Sequence, residues 1–291
     1  MAVLVNPTAG RGRGERFGAA AVDALRAAGL EVQRLQGRDG VEAADLARTA
    51  VASRPAALVV VGGDGMVHLG ARAVAGTDVP LGIIGAGTGN DVVRMLGLPR
   101  SDPTAAADAV VAAVVRGRTR RIDLALVGAT RVVTVVATGF DSRVNERANR
   151  MRWPSGPARY PLATLAELRV FRPLPYTLEI DGRRLETEAM LVAVGNGPSY
   201  GGGLRICEGA RPDDGWLDVV VIGRMSRVEL LRTLPLLPSG RHTGRPAYSH
   251  HRARTVSIAA PGIVAYGDGE RLAPLPVTVE VEPGALLVCA R

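Results

Sequence analysis

Two glycine-rich turns carry the residues whose types and spacing could do chemistry: Gly62-Gly63-Asp64-Gly65 and Gly85-Ala86-Gly87-Thr88-Gly89-Asn90-Asp91. The first follows the apolar run Ala57-Leu58-Val59-Val60-Val61, the second follows Leu81-Gly82-Ile83-Ile84, and each leads into a helix-compatible segment, residues 66–75 and 91–96. A strand that turns through glycines into a helix leaves backbone N–H groups pointing outward at the positive end of the helix dipole, so such a turn can bind phosphate. Strand–glycine–helix corners also occur without a ligand, and one turn alone does not decide between the two.

Composition narrows the chemistry by exclusion. Lysine and arginine together number 36, and every one is arginine. A Walker-A loop, the strand lysine of protein kinases and Schiff-base catalysis all need an amine, so none of them is available. Cys207 and Cys289 form no C-x-x-C pair, and His68, His242, His250 and His251 make no metal-type spacing with them. The net charge of +8 favours an anionic partner, phosphate or membrane surface, while 3% aromatic residues offer few stacking platforms, which argues against nucleic acid. The N-terminal apolar run is too short for a secretory signal, and the longest apolar stretch, residues 105–115, contains Asp108 and falls short of a membrane span of about 18 residues. The expectation is a soluble cytoplasmic protein.

The turns need elements to position them. Residues 2–5 read as a strand, followed by the loop Asn6-Pro7-Thr8-Ala9-Gly10-Arg11-Gly12 and a helix with Phe17, Ala21, Leu25 and Ala28 on one face, capped at Gly29. A short strand over 30–35, a helix over 41–53 and the two strand–turn–helix segments complete a repeated βα pattern. It predicts a doubly wound parallel sheet with helices on both faces, whose ligand crevice lies at the carboxyl ends of the strands. Three loops, beginning at Asn6, Gly62 and Gly85, can converge there on one nucleotide. From about Ile122 the texture changes to short β-branched runs at 131–137, 176–180, 190–194, 217–222, 255–260, 277–281 and 286–289, read as an antiparallel β-sandwich. The boundaries are therefore an α/β domain over 1–122 and a β-sandwich domain over 123–291, the last segment being able to return to the first domain. Two helix-compatible insertions, 144–150 continuing through 160–169, and 227–237, interrupt the sandwich. The second is richer in leucine than one buried stripe requires and reads either as a core helix or as a lipid-facing lid.

The order Asn6-Pro7-Thr8-Ala9-Gly10, Gly62-Gly63-Asp64-Gly65, Gly87-Thr88-Gly89-Asn90-Asp91, Ala137-Thr138-Gly139-Phe140-Asp141, Asp213-Asp214-Gly215 and Asp268-Gly269-Glu270 resembles the diacylglycerol and sphingosine kinase family, in particular its soluble bacterial members. The resemblance covers nearly the whole chain. It implies an ATP-dependent kinase acting on a lipid hydroxyl at the inner face of the membrane, with the active site in the cleft between a nucleotide domain and a β-sandwich domain. Diacylglycerol is the first expected acceptor; phosphatidylglycerol, a sphingoid base or a polyketide-like lipid alcohol are alternatives.

Phosphoryl transfer to an alcohol needs a phosphate cradle, a divalent cation and a carboxylate that accepts the hydroxyl proton. The motifs supply candidates for each. Asn6, Pro7, Thr8, Ala9 and Gly10 fall in the expected nucleotide loop, Gly62, Gly63 and Gly65 admit the phosphates, and Gly87, Thr88, Gly89 and Asn90 can bond them. Mg²⁺, helix dipoles and Arg11 or Arg13 would carry the charge. By resemblance Glu270 is the proton acceptor in bacterial members and the residue matching Asp64 in the sphingosine branch, with Asp268 the third carboxylate. Resemblance also implies a structural Mg²⁺ on Asp214 with the backbone carbonyls of Arg211 and Trp216, oxygen ligands that suit a hard cation. Met66 departs from the threonine usual after the Gly-Gly-Asp-Gly turn and points to weaker nucleotide binding. Competing readings are a nicotinamide-dinucleotide kinase, which shares the Gly-Gly-Asp-Gly turn, and a non-catalytic nucleotide and lipid module. An oxidoreductase is excluded because Asn90 breaks the G-x-G-x-x-G spacing. Exposed sandwich edges allow a homodimer.

Overall fold

A computed structural model of the chain describes residues 1–100, 102–151, 153 and 159–290, which form two compact units. The first comprises residues 1–124, 201–203 and those from Glu282 onward; the second comprises 125–200 and 204–281.

The first unit alternates strand and helix: β1 (Ala2–Val5), α1 (Ala9–Ala27), β2 (Gln33–Leu35), α2 (Gly40–Ala52), β3 (Leu58–Gly62), α3 (Asp64–Val74), β4 (Leu81–Gly85), α4 (Asp91–Met95) and α5 (Pro103–Val115). The strand β5 (Thr119–Val127) then carries the chain into the second unit. β1 pairs in parallel with β2 and β3, and β3 with β4, as the βα alternation predicts. Val3 and Val5 point to one face, where Phe17, Ala21 and Leu25 of α1 and Ala106, Val110 and Ala113 of α5 cover them. On the other face Gly70 of α3 lets the helix lie against Val60 and Leu81. Burying each valine or leucine of such a core contributes about 1.5–3 kcal/mol. Gly29 (φ 78) closes α1 as expected, with the Leu30 N–H reaching the Leu25 carbonyl at 3.1 Å. The apolar run 105–115 is the body of α5, which starts at Asp102, whose carboxylate accepts the N–H groups of Thr104 and Ala105.

The second unit is antiparallel. In chain order it holds β6 (Thr130–Val132), β7 (Val135–Gly139), α6 (Phe140–Arg150), α7 (Arg159–Val170), β8 (Leu174–Ile180), β9 (Arg183–Gly195), β10 (Leu217–Gly223), α8 (Arg227–Thr233), β11 (Tyr248–Ala253), β12 (Thr255–Ala259), β13 (Val264–Gly267), β14 (Glu270–Pro274) and the first residues of β15 (Val277–Cys289). The long β9 pairs with β8 through its first half and with β7 and β10 through its second. Alternation splits β10 between two cores: Leu217, Val219 and Val221 enter one, while Val220 and Ile222 enter another formed with α6, α7 and α8.

Several strand expectations are revised. The run 131–137 is broken into β6 and β7, because the N–H groups of Val133 and Thr134 turn away to the Asp268 carboxylate. The runs 277–281 and 286–289 are one strand, β15, whose later part returns to the first unit and pairs in parallel with β4 at Val288 and Leu81. β11, a polar Tyr-Ser-His-His-Arg-Ala segment, gives no apolar signal and forms by pairing with β10.

Candidate active site

The phosphate turns meet within the first unit. Asn6 follows β1, and its N–H donates to the Val61 carbonyl at 2.9 Å while its Oδ1 accepts from both the Thr8 N–H and the Thr8 hydroxyl. Gly10, Arg11 and Gly12 then take φ values of 57°, 63° and 88°, one left-handed turn before the regular part of α1. The turn is held by Arg13, which donates to the Gly10 carbonyl at 3.1 Å and to the Gly87 carbonyl at 2.9 Å. Arg13 is thus the arginine that places positive charge between the first and third loops.

Close backbone approach fixes the other walls. A methyl group on Gly10 would lie 1.9 Å from the Ala86 carbonyl oxygen, and one on Gly87 would lie 2.5 Å from the Gly63 Cα. The N–H groups of Ala86 and Gly87 both donate to the Gly62 carbonyl. Gly87→Ala must therefore part the second and third loops; the expected result is loss of ATP binding by isothermal titration, with a lower melting temperature as well. Met66 turns its side chain onto Gly62 and is buried, so the residue at this departure from the family pattern packs into the core.

Asp64 has a defined occupation. Its Oδ2 accepts the Asn90 N–H and its Oδ1 the Asp91 N–H, each at 2.7 Å, so the carboxylate closes the start of α4 and ties the second loop to the third. Asn90 sits there at φ 56°, its amide donating to the Gly87 carbonyl at 3.0 Å. The buried Asp91 bonds Arg94 at 3.2 Å and accepts the Gly202 N–H at 2.7 Å. This last contact belongs to a segment that sequence reasoning missed. Gly201, Gly202 and Gly203 all have positive φ, and a methyl on Gly89 or Gly202 would come 3.8 Å from the Cα of the other. The signal was visible in the triple glycine 201–203.

The remaining carboxylates lie in the second unit. Asp268 and Gly269, at φ 54° and 81°, are the two-residue turn of the β13–β14 hairpin, in which Gly267 opposes Glu270. The Asp268 carboxylate accepts the N–H groups of Val133 (2.7 Å) and Thr134 (2.9 Å) and the Thr134 hydroxyl (2.6 Å). Glu270, the first residue of β14, is exposed. Asp214 accepts the Trp216 N–H at 3.1 Å through Oδ1 and the Arg252 guanidinium through Oδ2. Arg211 pairs with Asp213 at 3.5 Å, and the Trp216 ring lies under Arg252 and Arg254. A magnesium ion on Asp214 and the Arg211 and Trp216 carbonyls would compete with Arg252 for the same carboxylate. As it stands, the Asp214 carboxylate is shared between the Trp216 N–H and the Arg252 guanidinium.

Asp141, on the first turn of α6, accepts the Tyr200 hydroxyl, and burial pushes its carboxyl up to about 6. A folded-state value above the unfolded one means that the neutral form is favoured by folding. Its contribution is complete below the unfolded value near 4 and is lost as the pH rises through about 6. Asp141→Asn is expected to remove this dependence, so its melting temperature should gain on wild type between pH 4 and 6.5; parallel curves would overturn the assignment.

Parallel strands ending in backbone-lined phosphate turns, with a carboxylate-bearing antiparallel unit in the same chain, define a phosphotransferase of the two-domain nucleotide kinase type. Residues 1–127 match the family model described as diacylglycerol kinase catalytic domain, and residues 134–290 the one described as YegS C-terminal NAD kinase beta sandwich-like domain. A diacylglycerol kinase of Mycobacterium tuberculosis is 44% identical over 294 residues, covering 99% of this chain and 94% of the relative. The crystal structure of a diacylglycerol kinase from Bacillus anthracis has a TM-score of 0.75 at 22% identity, over 100% of this chain and 96% of that one. An NAD kinase from Archaeoglobus fulgidus in complex with ATP has a TM-score of 0.57 at 14% identity, over 99% and 92% of the two chains. These two likenesses are of fold. The chain belongs to the diacylglycerol kinase family, and with it to the ATP-dependent lipid kinases. Among the described residues no helix is long and apolar enough to cross a membrane.

Proposed function

We propose that this kinase transfers the γ-phosphoryl group of magnesium ATP to the free hydroxyl of a diacylglycerol, giving phosphatidic acid. The observation that carries the reading is the cradle of Gly10, Gly63 and Gly87, packed so closely that side chains are excluded and backbone groups line the turns. The N-terminal turn of α3 and the guanidinium of Arg13 supply fixed positive charge to such a cradle. Magnesium bound to ATP would neutralise charge on its phosphates. Asn6, Pro7, Thr8, Ala9 and Gly10 form one wall, Gly62, Gly63, Asp64 and Gly65 the second, and Gly87, Thr88, Gly89 and Asn90 the third.

Of the three candidate carboxylates we assign the proton acceptor to Glu270, the acceptor that the family resemblance implies, exposed at the head of β14. Asp64 and Asp268 each spend both oxygens on backbone N–H groups, which are positioning roles. As the lipid oxygen bonds to the γ-phosphorus and ADP leaves, the hydroxyl proton passes to the Glu270 carboxylate. A diacylglycerol stays in its bilayer, so the enzyme works in transient contact with the inner membrane surface. The edge strand β11 offers a route to a homodimer, which light scattering of the purified protein tests.

The test of function is transfer of radiolabelled phosphate from ATP to a panel of lipids in mixed micelles, with magnesium and with chelator. The expected result is a labelled, chelator-sensitive product that is strongest with diacylglycerol. ATP binding without any labelled lipid would turn the reading to a non-catalytic module.

A further inference from the structure

Two helices of the second unit present apolar side chains outward. In α7 the buried residues are Ala163, Glu167 and Leu168, with Glu167 held by Arg147 at 2.5 Å. Elsewhere on α7 Leu162 and Leu165 are exposed by 42% and 54%, and Val170 at its C-terminal end by 59%. In α8 Leu230 and Thr233 point inward, while Val228 and Leu231 are exposed by 56% and 48%. The two helices touch, which puts their exposed residues on adjoining elements of the second unit. Exposed leucines and valines grouped in this way mark an interaction surface, because scattering them singly would suffice for a solvated helix.

Charge identifies what the surface meets. Next to α8 lies a cavity of about 600 Å³, lined by the apolar Phe171, Met190 and Met225 and by Arg172, Arg224 and Arg227. Glu229 accepts the Ser226 N–H at 2.7 Å in the capping box of α8, and Glu188 pairs with Arg224 at 3.1 Å, so Arg172 and Arg227 carry the positive charge of this lining. Arg169 and Arg232 add to the basic rim on the two helices. An apolar centre ringed by arginine matches a bilayer that has acyl chains below anionic headgroups.

We propose that the α7–α8 face is the membrane-docking surface of this enzyme, which rests on the lipid-kinase reading above. Leu162, Leu165, Val170, Val228 and Leu231 enter the acyl boundary, and Arg172 and Arg227 hold anionic phospholipid headgroups. Binding then needs both parts: one shallow apolar patch gives weak attachment, and the arginines restrict it to anionic membranes.

The experiment is co-sedimentation of the full chain with vesicles of phosphatidylcholine alone and of an equimolar mixture with phosphatidylglycerol. Wild type should bind the mixture at least about tenfold more tightly, and 0.5 M salt should remove most of the difference. Leu165→Asp with Leu231→Asp should weaken binding by more than about tenfold, and Arg172→Ala with Arg227→Ala by a similar factor on the anionic vesicles alone. Phosphate transfer to a short-chain, water-soluble diacylglycerol should stay at the wild-type level in both double variants. Wild-type vesicle binding by the leucine variants, or equal binding of wild type to neutral vesicles, overturns the proposal. So does a change in oligomeric state by light scattering in place of a change in vesicle binding, since the face then joins two copies. If wild type phosphorylates the short-chain lipid but ignores vesicles, the docking face fails and the functional reading stands. If it binds anionic vesicles but phosphorylates no lipid, the functional reading fails.

Discussion

Glu270→Gln is expected to lower phosphoryl transfer by about 10²–10⁴-fold, the range that a positioned general base supplies, with the fold intact. The side chain is exposed on the first residue of β14, and glutamine is nearly isosteric with glutamate, so the change in stability is expected to be small. Glutamine keeps the shape and loses the capacity to take a proton. ATP affinity by calorimetry should therefore stay near the wild-type value while turnover in mixed micelles collapses. Retained turnover would move the proton to another acceptor. The neighbouring Asp268→Asn offers the contrast: it loses bonds to Val133 and Thr134, so its melting temperature should fall with its activity.

Asp64→Asn should do two things at once. The carboxylate receives two N–H groups from the start of α4, and an asparagine can offer an oxygen to only one of them, turning its own donor toward the other. Hydrogen bonds to a charged group are worth about 1.5–3 kcal/mol each, so a stability loss of about 2–4 kcal/mol is expected in denaturant unfolding. Because the same bonds tie Gly62–Gly65 to Gly87–Asp91, ATP affinity should fall as well. An inactive variant with wild-type stability and ATP affinity would instead give Asp64 the chemical role that the sphingosine branch suggests.

Much of the first unit was legible before any coordinates. Its strands are apolar runs that end in glycine, its helices repeat every three to four residues, and parallel pairing follows from that alternation. The glycine-rich turns were legible because close backbone approach leaves glycine as the residue that fits. The roles of the carboxylates were less so. Asp64 and Asp268 look like candidate bases in a motif, yet each folds onto backbone N–H groups of residues far away in sequence, Asn90 in one case and Val133 in the other. Asp214 bonds Arg252, a partner 38 residues on that no local pattern announces. β11 was hidden for a related reason: an edge strand with polar residues forms through its neighbour's backbone rather than through burial of its own side chains.

The return of β15 to the first unit governs how this enzyme can be made. The nucleotide-binding sheet has β4 ready early in synthesis, but Val288, its parallel partner at Leu81, and the carbonyl of Ala285, which accepts the Gly76 N–H at 2.8 Å, leave the ribosome only after the whole antiparallel unit. Until then one margin of the sheet is an open template, and Asp123 lacks the Gly284 N–H that it holds at 2.8 Å in the finished molecule. Completion of the first unit is thus coupled to completion of the second, and a nascent chain holding the first without the second is exposed to mispairing.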